Sequence, residues 1–456
     1  MKNIIYLSIL AVAIACSPVK NLETVKVELP EDFKFELDDK TSHELSLDTA
    51  FWRNFGDTVL NNLVLEALAN NYDLKTAYSN VLISRRNLGV TRGELLPNFN
   101  LELSAEGEYT PATKIEQTYV VTPTMNWEFN LAGKQSNSIK VARYESYSDY
   151  EEYKDVMLSV VCELVTSYIS ILEYKRALEL AEQTYASRHS SVSLIDSLFR
   201  YGMSSGLDLA QAKALEASAA VAIPKYRQAL EQSILNINIV LGTTGVGYER
   251  FKNCELQNMR LPIIKAGLPS DILKNRSDLR AAMYDLESAR SGVKVAHAAR
   301  FPSISLTVDG GLSSSHLKSL VNGNPSVWGA TVSLLQPILY FGINKNNERI
   351  AVEKYNKALY AYELDVITAF KEVEVALLGI ELYKRQLHET LNLVESNKAI
   401  EHMTSRLYLE GFDDYLNQLD AQRELFATEL SYIQLYAAQV NSYLSLFKAL
   451  NFSPFN

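Results

Sequence analysis

Three sets of residues in this chain have types and spacings that could do chemistry. Gly202-Met203-Ser204-Ser205-Gly206 fits G-x-S-x-G, the turn that presents a serine nucleophile between a strand and a helix. Gly242 to Gly247 reads Gly-Thr-Thr-Gly-Val-Gly, a run that cradles phosphate when a strand leads into it. Six histidines (His43, His189, His297, His316, His388 and His402) and three cysteines (Cys16, Cys162 and Cys254) include the ligand types for zinc. None of these has the context its chemistry needs. The residues from Lys134 to Arg200 contain neither Gly nor Pro, so a helix and not a strand precedes Ser204. Gly242 likewise follows a helical pattern and reads as a helix stop. The histidines show no HExxH spacing, Cys162 and Cys254 lack a CxxC partner, and Cys162 sits in the apolar run Leu158–Val165. The expectation is a chain without catalytic, cofactor-binding or metal-binding residues, and not an enzyme.

The elements around these turns follow from an internal repeat, which fixes architecture more firmly than any local pattern. Leu68, Asn70, Asp73, Leu74, Ala77 and Pro97 return as Leu273, Asn275, Asp278, Leu279, Ala282 and Pro302, an offset of 205 (302 − 97). Beyond the strands the offset is 209, since Gly342 answers Gly133 and Gly411 answers Gly202 (342 − 133 = 411 − 202). The added residues fall in the loop Ser313 to Pro325, which answers Gly107 to Gln117. Each copy orders a helix, a strand, a second strand, a very long helix, a glycine break and another helix. One helical pattern spans Asp57 to about Leu95. The long segments, Lys134 to Arg200 and Ile343 to Glu410, would each reach roughly 100 Å at 1.5 Å per residue. Helices of that length need partners along their whole length. Leu207 to Leu241 and Phe412 to Ser453 supply them by folding back at Gly202 and Gly411.

The strand segments alternate strictly. Phe99, Leu101, Leu103 and Ala105 oppose Asn98, Asn100, Glu102, Ser104 and Glu106. Tyr119, Val121, Pro123, Met125, Trp127, Phe129 and Leu131 oppose Thr118, Thr122, Thr124, Asn126, Glu128 and Asn130. Ile304, Leu306, Val308 and Leu312 oppose Ser303, Ser305, Thr307 and Asp309, while Trp328, Ala330, Val332 and Leu334 oppose Gly329, Thr331 and Ser333. Period-two segments of about ten residues with aromatic ends match transmembrane strands around a wet interior; a half-buried soluble sheet shows the same alternation. If they span lipid, four strands cannot close a barrel, and their open edges cannot be left there. Two chains give eight strands with a filled interior, and three give twelve around an aqueous bore.

The chain has 456 residues, 47% hydrophobic and 21% charged, with a formal charge of −10. An acidic chain disfavours nucleic acid as a partner and suits cations or a water-filled lumen. Residues 1–15 read as a signal peptide: Lys2, then an apolar run from Ile4 to Ile14 too short to span as a helix. Ala13-Ile14-Ala15-Cys16 resembles a bacterial lipobox, departing from it at Ala13, where Leu is usual. Cys16 is thus the expected lipidation site, with plain signal cleavage as the alternative. Residues 16–45 form a polar tether, 46–241 the first repeat (strands about 98–109 and 118–131), 242–267 an equatorial joining segment, and 268–456 the second repeat (strands about 303–313 and 326–338).

Six groups of residues stand out together: Trp52-Arg53-Asn54-Phe55 with Asp57; Ala67-Leu68-Ala69-Asn70 with Asp73-Leu74; Arg276 to Ala282; Phe301 to Leu306; Gln336-Pro337-Ile338 with Gly342; and Tyr415 to Arg423. With these the chain resembles the outer-membrane efflux proteins, the TolC-like channels, and more closely their lipoprotein branch serving resistance-nodulation-division pumps. The likeness covers roughly residues 50 to 450, departing at Ser277, where the branch has Pro. It implies a mainly α fold with transmembrane β: two repeats, long coiled-coil hairpins, four strands per chain, and a homotrimer with a twelve-stranded barrel in outer-membrane lipid and an α-barrel across the periplasm. It implies a passive exit channel for drugs or other small solutes, fed by an inner-membrane resistance-nodulation-division pump through a periplasmic adaptor. The alternative is the outer-membrane duct of a type I protein secretion system. The resemblance places the periplasmic constriction at Leu416 and Asp420, where three aspartates would favour cations. It places tip and adaptor contacts at Gly202, Ser204, Asp208, Tyr408, Gly411, Asp413 and Asp414. Asp208 matches a residue that holds related tips closed, but its usual arginine partner falls on Asp413, leaving Tyr408 as a possible partner. Gln211 stands where Asp420 stands in the other copy (420 − 211 = 209), so the gate is expected in the second copy.

Overall fold

Glycines with positive φ mark most of the places where this chain must turn. The computed structural model describes residues 22–27, 30, 33–35, 50–111, 114–130, 132–261, 276–322 and 326–450. The signal peptide, Cys16 and most of the tether lie outside the described residues, as does 262–275. The first repeat holds α1 (Thr58–Asn70), α2 (Tyr72–Gly93), β1 (Asn98–Thr110), β2 (Lys114–Asn130), α3 (Lys134–Arg200) and α4 (Gly206–Val240). The second holds α5 (Ser277–Ala298), β3 (Ser303–Ser314), α6 (Leu317–Asn322), β4 (Ser326–Leu335), α7 (Ile343–Leu409) and α8 (Tyr415–Ala449). The bounds of α5 are those of α2 displaced by 205, and those of α7 and α8 are α3 and α4 displaced by 209 (277 − 72; 343 − 134; 415 − 206).

The chain divides into two units. One contains the sheet, of order β1-β2-β3-β4 and antiparallel throughout. Its register joins the expected apolar positions into one continuous face: Phe99 opposes Met125, which opposes Val308, which opposes Ala330. Trp127, Leu306 and Val332 form a second such row, and Phe129, Ile304 and Leu334 a third. The other face carries Glu102, Glu106, Glu128 and Asp309. Phe99, Leu101 and Leu103 are 75%, 63% and 70% exposed, so this chain covers its own apolar face poorly. Among the described residues β1 pairs only with β2 and β4 only with β3, which leaves two open edges. The rings of Trp127 and Phe129 meet at a tilt near one end of the sheet, with Trp127 Nε1 donating to Leu95 O at 2.9 Å. Tyr119 lies ten residues up the same face (129 − 119), about 33 Å at 3.3 Å per residue. Gly311 is required opposite Thr122: a Cβ there would lie 2.0 Å from Val121 O, where β2 and β3 press together.

Four boundaries differ from the sequence expectation. β2 begins at Lys114 and not near 118, because the ladder continues through Glu108–Glu116 and Tyr109–Ile115. Gly107 and Gln117 interrupt the apolar alternation before them, but backbone pairing continues once register is set. β4 stops at Leu335 and not 338, since Pro337 has no N–H to donate. The second strand connection contains α6, whose Leu317, Leu320 and Val321 have helical spacing. The helical pattern from Asp57 is two helices, broken at Asn71, whose backbone is extended (ψ 134).

The other unit contains the hairpins and the segment between the repeats. Asp57 caps α1, accepting from the Val59 and Leu60 amides at 2.8 and 3.2 Å, and its second oxygen accepts from Tyr168. Phe51 and Phe55 precede it in a 3-10 turn packed on Phe447. Asn71 caps α2 through Leu74 N and donates to Val240 O, tying the helix break to the end of α4. There Gly242 (φ +65) closes α4, with Thr243 N reaching Asn238 O. The run Gly242 to Gly247 is therefore the helix stop expected of it. Lys175, almost wholly buried, donates to the carbonyls of Lys252 and Cys254 and holds the inter-repeat turn against α3. Cys162 is also buried, and burial pushes its thiol up to about 12, which leaves it an apolar packing group.

A Cβ at Gly242 would sit 2.7 Å from Asn70 O, in a backbone conformation that side chains avoid. Gly242→Ala should therefore cost roughly 1–3 kcal/mol. Gly245→Ala, where only Thr243 Oγ1 lies within reach at 3.8 Å, should cost little. Thermal unfolding followed by helical circular dichroism compares the two.

Candidate functional site

The two hairpin tips are built from one plan with opposite polarity. In the first, α3 ends in a Schellman turn: Gly202 (φ +73) donates to Phe199 O at 2.9 Å and Met203 to Leu198 O at 2.8 Å. The second repeats it, with Gly411 (φ +79) donating to Tyr408 O at 3.0 Å and Phe412 to Leu407 O at 2.8 Å. Ser205 then caps α4 with a full capping box: Asp208 N donates to Ser205 Oγ at 3.1 Å, and Ser205 N to Asp208 Oδ2 at 3.0 Å. Ser204 adds a third bond, donating to the same carboxylate at 3.0 Å. In the second tip Asp413 stands where Ser204 does and Asn417 where Asp208 does (413 − 204 = 417 − 208 = 209). Here the amide of Asn417 donates to Asp413 Oδ1 at 2.6 Å, and Asp414 N donates to the same oxygen at 2.9 Å. Donor and acceptor have exchanged places. Asp414, the N-cap of α8, makes no side-chain cap bond of its own.

These bonds decide what the expected tip residues do. Ser204 is a turn residue after a 67-residue helix, its hydroxyl committed to Asp208, and not a nucleophile on an elbow. Asp208 is engaged by Ser204 and Ser205 and does not hydrogen-bond Tyr408, whose ring instead lies 5.2 Å from Tyr415. Tyr415 is nearly buried, and burial, with Tyr408 and Asp208 close by, pushes its hydroxyl up to about 12. Around it Ile195, Ala212, Leu215 and Leu419 form the small core that joins the two hairpins near their tips. Leu416 and Asp420 project from the opposite side of α8. Leu416 is 51% exposed, and Asp420 is also exposed, held only by Arg423 at 3.3 Å on its own helix. Spaced by four, they form one solvent-facing row on α8. Tyr201, Met203 and Phe412 stand 79%, 68% and 79% exposed on the two tips.

Arg188 is a residue the sequence reading did not single out. It is 4% exposed, yet no described carboxylate pairs with it. Its Nη1 donates to Leu215 O at 3.0 Å and Ser218 Oγ at 2.9 Å, its Nη2 to Gln422 O at 3.3 Å, and the guanidinium lies 5.2 Å from the Phe426 ring. It thus bonds α3 to α4 and to α8. The sequence signal is slight, one arginine in the polar run Ser187 to Ser191, because burial is set by the neighbouring helices.

A four-stranded sheet with one apolar face, one acidic face and two open edges, carried by helical hairpins of this length, defines a TolC-like outer-membrane channel protein. Residues 63–243 and 268–451 match the outer membrane efflux protein family, and the chain belongs to that family. It is 31% identical over 405 residues to the probable efflux pump outer membrane protein SepC of Pseudomonas putida, covering 87% of this chain and 84% of that one. It is 30% identical over 441 residues to the cation efflux system protein CusC of Escherichia coli, covering 95% of each. The fold matches the Campylobacter jejuni CmeC outer membrane channel with a TM-score of 0.87 at 24% identity, covering 96% of this chain and 95% of that one. The protein resides in the outer membrane as a transport channel.

Ser205→Ala removes the side-chain acceptor of the first tip's capping box and should cost the start of α4 about 1 kcal/mol. Hydrogen exchange at the Gly206 to Leu209 amides should quicken about fivefold while the rest of α4 keeps its protection.

Proposed function

We propose that the chain is the exit duct of a tripartite efflux system. Three copies close into one channel that passively conducts drugs or other small solutes received from an inner-membrane resistance-nodulation-division pump. The observation that carries this reading is the sheet: its apolar face suits lipid, its acidic face suits a wet bore, and its open edges require other copies. Three chains supply twelve strands, and the acidic face then lines the bore. The pump relationship of SepC and the cation efflux system of CusC support efflux over protein secretion. The lipid anchor belongs to the same reading, with Cys16 acylated and the tether leading into the first repeat.

Within this duct Leu416 and Asp420 form the constriction, three of each around the axis. They are exposed on a single chain and lie on the face of α8 turned away from its hairpin core. A ring of like carboxylates raises the local cation concentration and repels anions. The exposed tip residues Tyr201, Met203 and Phe412, with the turns at Gly202 and Gly411, receive the periplasmic adaptor. Ser204, Asp208, Asp413 and Asp414 shape those turns, and Tyr408 steadies Tyr415 behind them.

Leu416→Ala with Asp420→Ala should raise single-channel conductance in planar bilayers several-fold and weaken cation selectivity; unchanged conductance removes the constriction. Cys16→Ser should abolish metabolic labelling with palmitate, and persistent labelling would remove the anchor. A strain lacking the chain should accumulate a fluorescent small solute while its secreted proteins are unaltered, and a secretion defect without accumulation would favour the alternative duct.

A further inference from the structure

A buried cation without a counter-charge is expensive, and its cost is met when an anion reaches it. Arg188 is such a group. One edge of its guanidinium is used, with Nη1 on Leu215 O and Ser218 Oγ. The other edge, Nε with Nη2, is nearly free: Nε has no partner, and Nη2 has only a 3.3 Å bond to Gln422 O. That side-on pair of donors is the edge that grips a carboxylate in bidentate fashion. Burial, with Arg423 nearby, holds the Arg188 guanidinium down at about 10.

The free Nε is itself buried, within a residue that borders open space. Arg188 lines a cleft of about 350 Å³, shared with Gln422 and Phe426 of α8, Lys398 and Glu401 of α7, and Arg176 of α3. Gln422 Oε1 is also buried there without a donor. Arg176 and Lys398 are engaged by Glu179 and Glu429 at 3.3 and 3.1 Å, whereas Arg188 has no described acidic partner. The aromatic ring of Phe426 adds an apolar wall. The cleft thus combines a committed cation, a free acceptor and a hydrophobic side, a set that suits a carboxylate carried on an alkyl stem with a hydrogen-bond donor beside it.

We propose that this cleft between the two hairpins is a carboxylate-binding site, with the Nε/Nη2 edge of Arg188 as its receptor. Its position points away from the cargo path. Gln422 and Phe426 lie about 160° and about 120° around α8 from Asp420, at 100° per residue. With Asp420 facing the bore, the cleft opens off it, toward the periplasmic side of the hairpins. This placement rests on the constriction reading above; the affinity for a carboxylate does not. The carboxylate has two sources: a free small dicarboxylate, or an acidic side chain on a helix of a periplasmic protein.

The test uses the purified full-length protein in detergent. Glutarate and a helical peptide with a single central Glu are the probes, titrated by calorimetry against chloride at equal ionic strength. Binding of glutarate identifies a free carboxylate as sufficient, and binding of the peptide alone identifies a protein side chain; either supports the site. Arg188→Lys keeps the charge but loses the planar fork and should weaken binding about tenfold or more. Glu401→Gln removes a competing negative charge from the wall and should tighten binding a few-fold, which a purely structural Arg188 would not cause. Binding of neither probe beyond the chloride control overturns the proposal, as does equal affinity in Arg188→Lys. Should that variant fail to fold, unchanged affinity in Glu401→Gln is decisive against it. If a probe binds as expected while Leu416→Ala with Asp420→Ala leaves conductance unaltered, the carboxylate site stands and the constriction falls.

Discussion

Backbone polar groups cannot be left unpaired in hydrocarbon, and this requirement governs most of what the chain is. The four strands pair internally with uniform register, but β1 and β4 each leave one edge open. Helices satisfy their own backbones, so the helical part could stand alone where the sheet cannot. The sheet must be completed by copies of itself, and the internal repeat is an economical way to encode it: two hairpins per chain, each delivered by a helix and followed by a long helix. Pro123 shows how tight the pairing is. It removes a ladder donor inside the sheet, and beside it the opposing strand places Gly311, where a Cβ would lie 2.0 Å from Val121 O.

A second constraint follows from helix length. Helices of 67 residues, α3 and α7, have too much surface to stand alone, and α4 and α8 return along them. The pairing is specific at a few polar points in a mostly small and apolar seam. Asn397 donates to Thr428 at 2.9 Å between α7 and α8, and Arg188 binds carbonyls of α4 and α8. At the far ends the seam gives way to the tips, whose Schellman turns and caps satisfy the last backbone groups. The two tips reach the same turn with side-chain donor and acceptor reversed, so the closed turn does not depend on one particular pair of side chains.

Much of this was legible in the residues alone. The strict alternation from Phe99 to Ala105 and from Ile304 to Val308 named the apolar face, and the register joined it across all four strands. Gly202 and Gly411 named the tips, because only a residue at ease with positive φ closes a helix this way. The start of β2 was not legible, since Gly107 and Gln117 interrupt the apolar side between the Ala105–Tyr119 and Tyr109–Ile115 pairs. The break at Asn71 was hidden because the helical periodicity runs through it, although the side chain caps α2 through Leu74 N and also donates to Val240 O, 169 residues away.

What the sequence by itself determined are the properties carried by period and punctuation: two copies, helix and strand order, the faces of the strands, and the glycine turns. These depend on neighbours close in the chain, so they survive without coordinates. The tertiary structure alone decided which polar groups are used up and which are left over. Arg188 is buried with one edge free. That outcome turns on desolvation and on partners brought together by packing from 27 to 234 residues away, which no local pattern records.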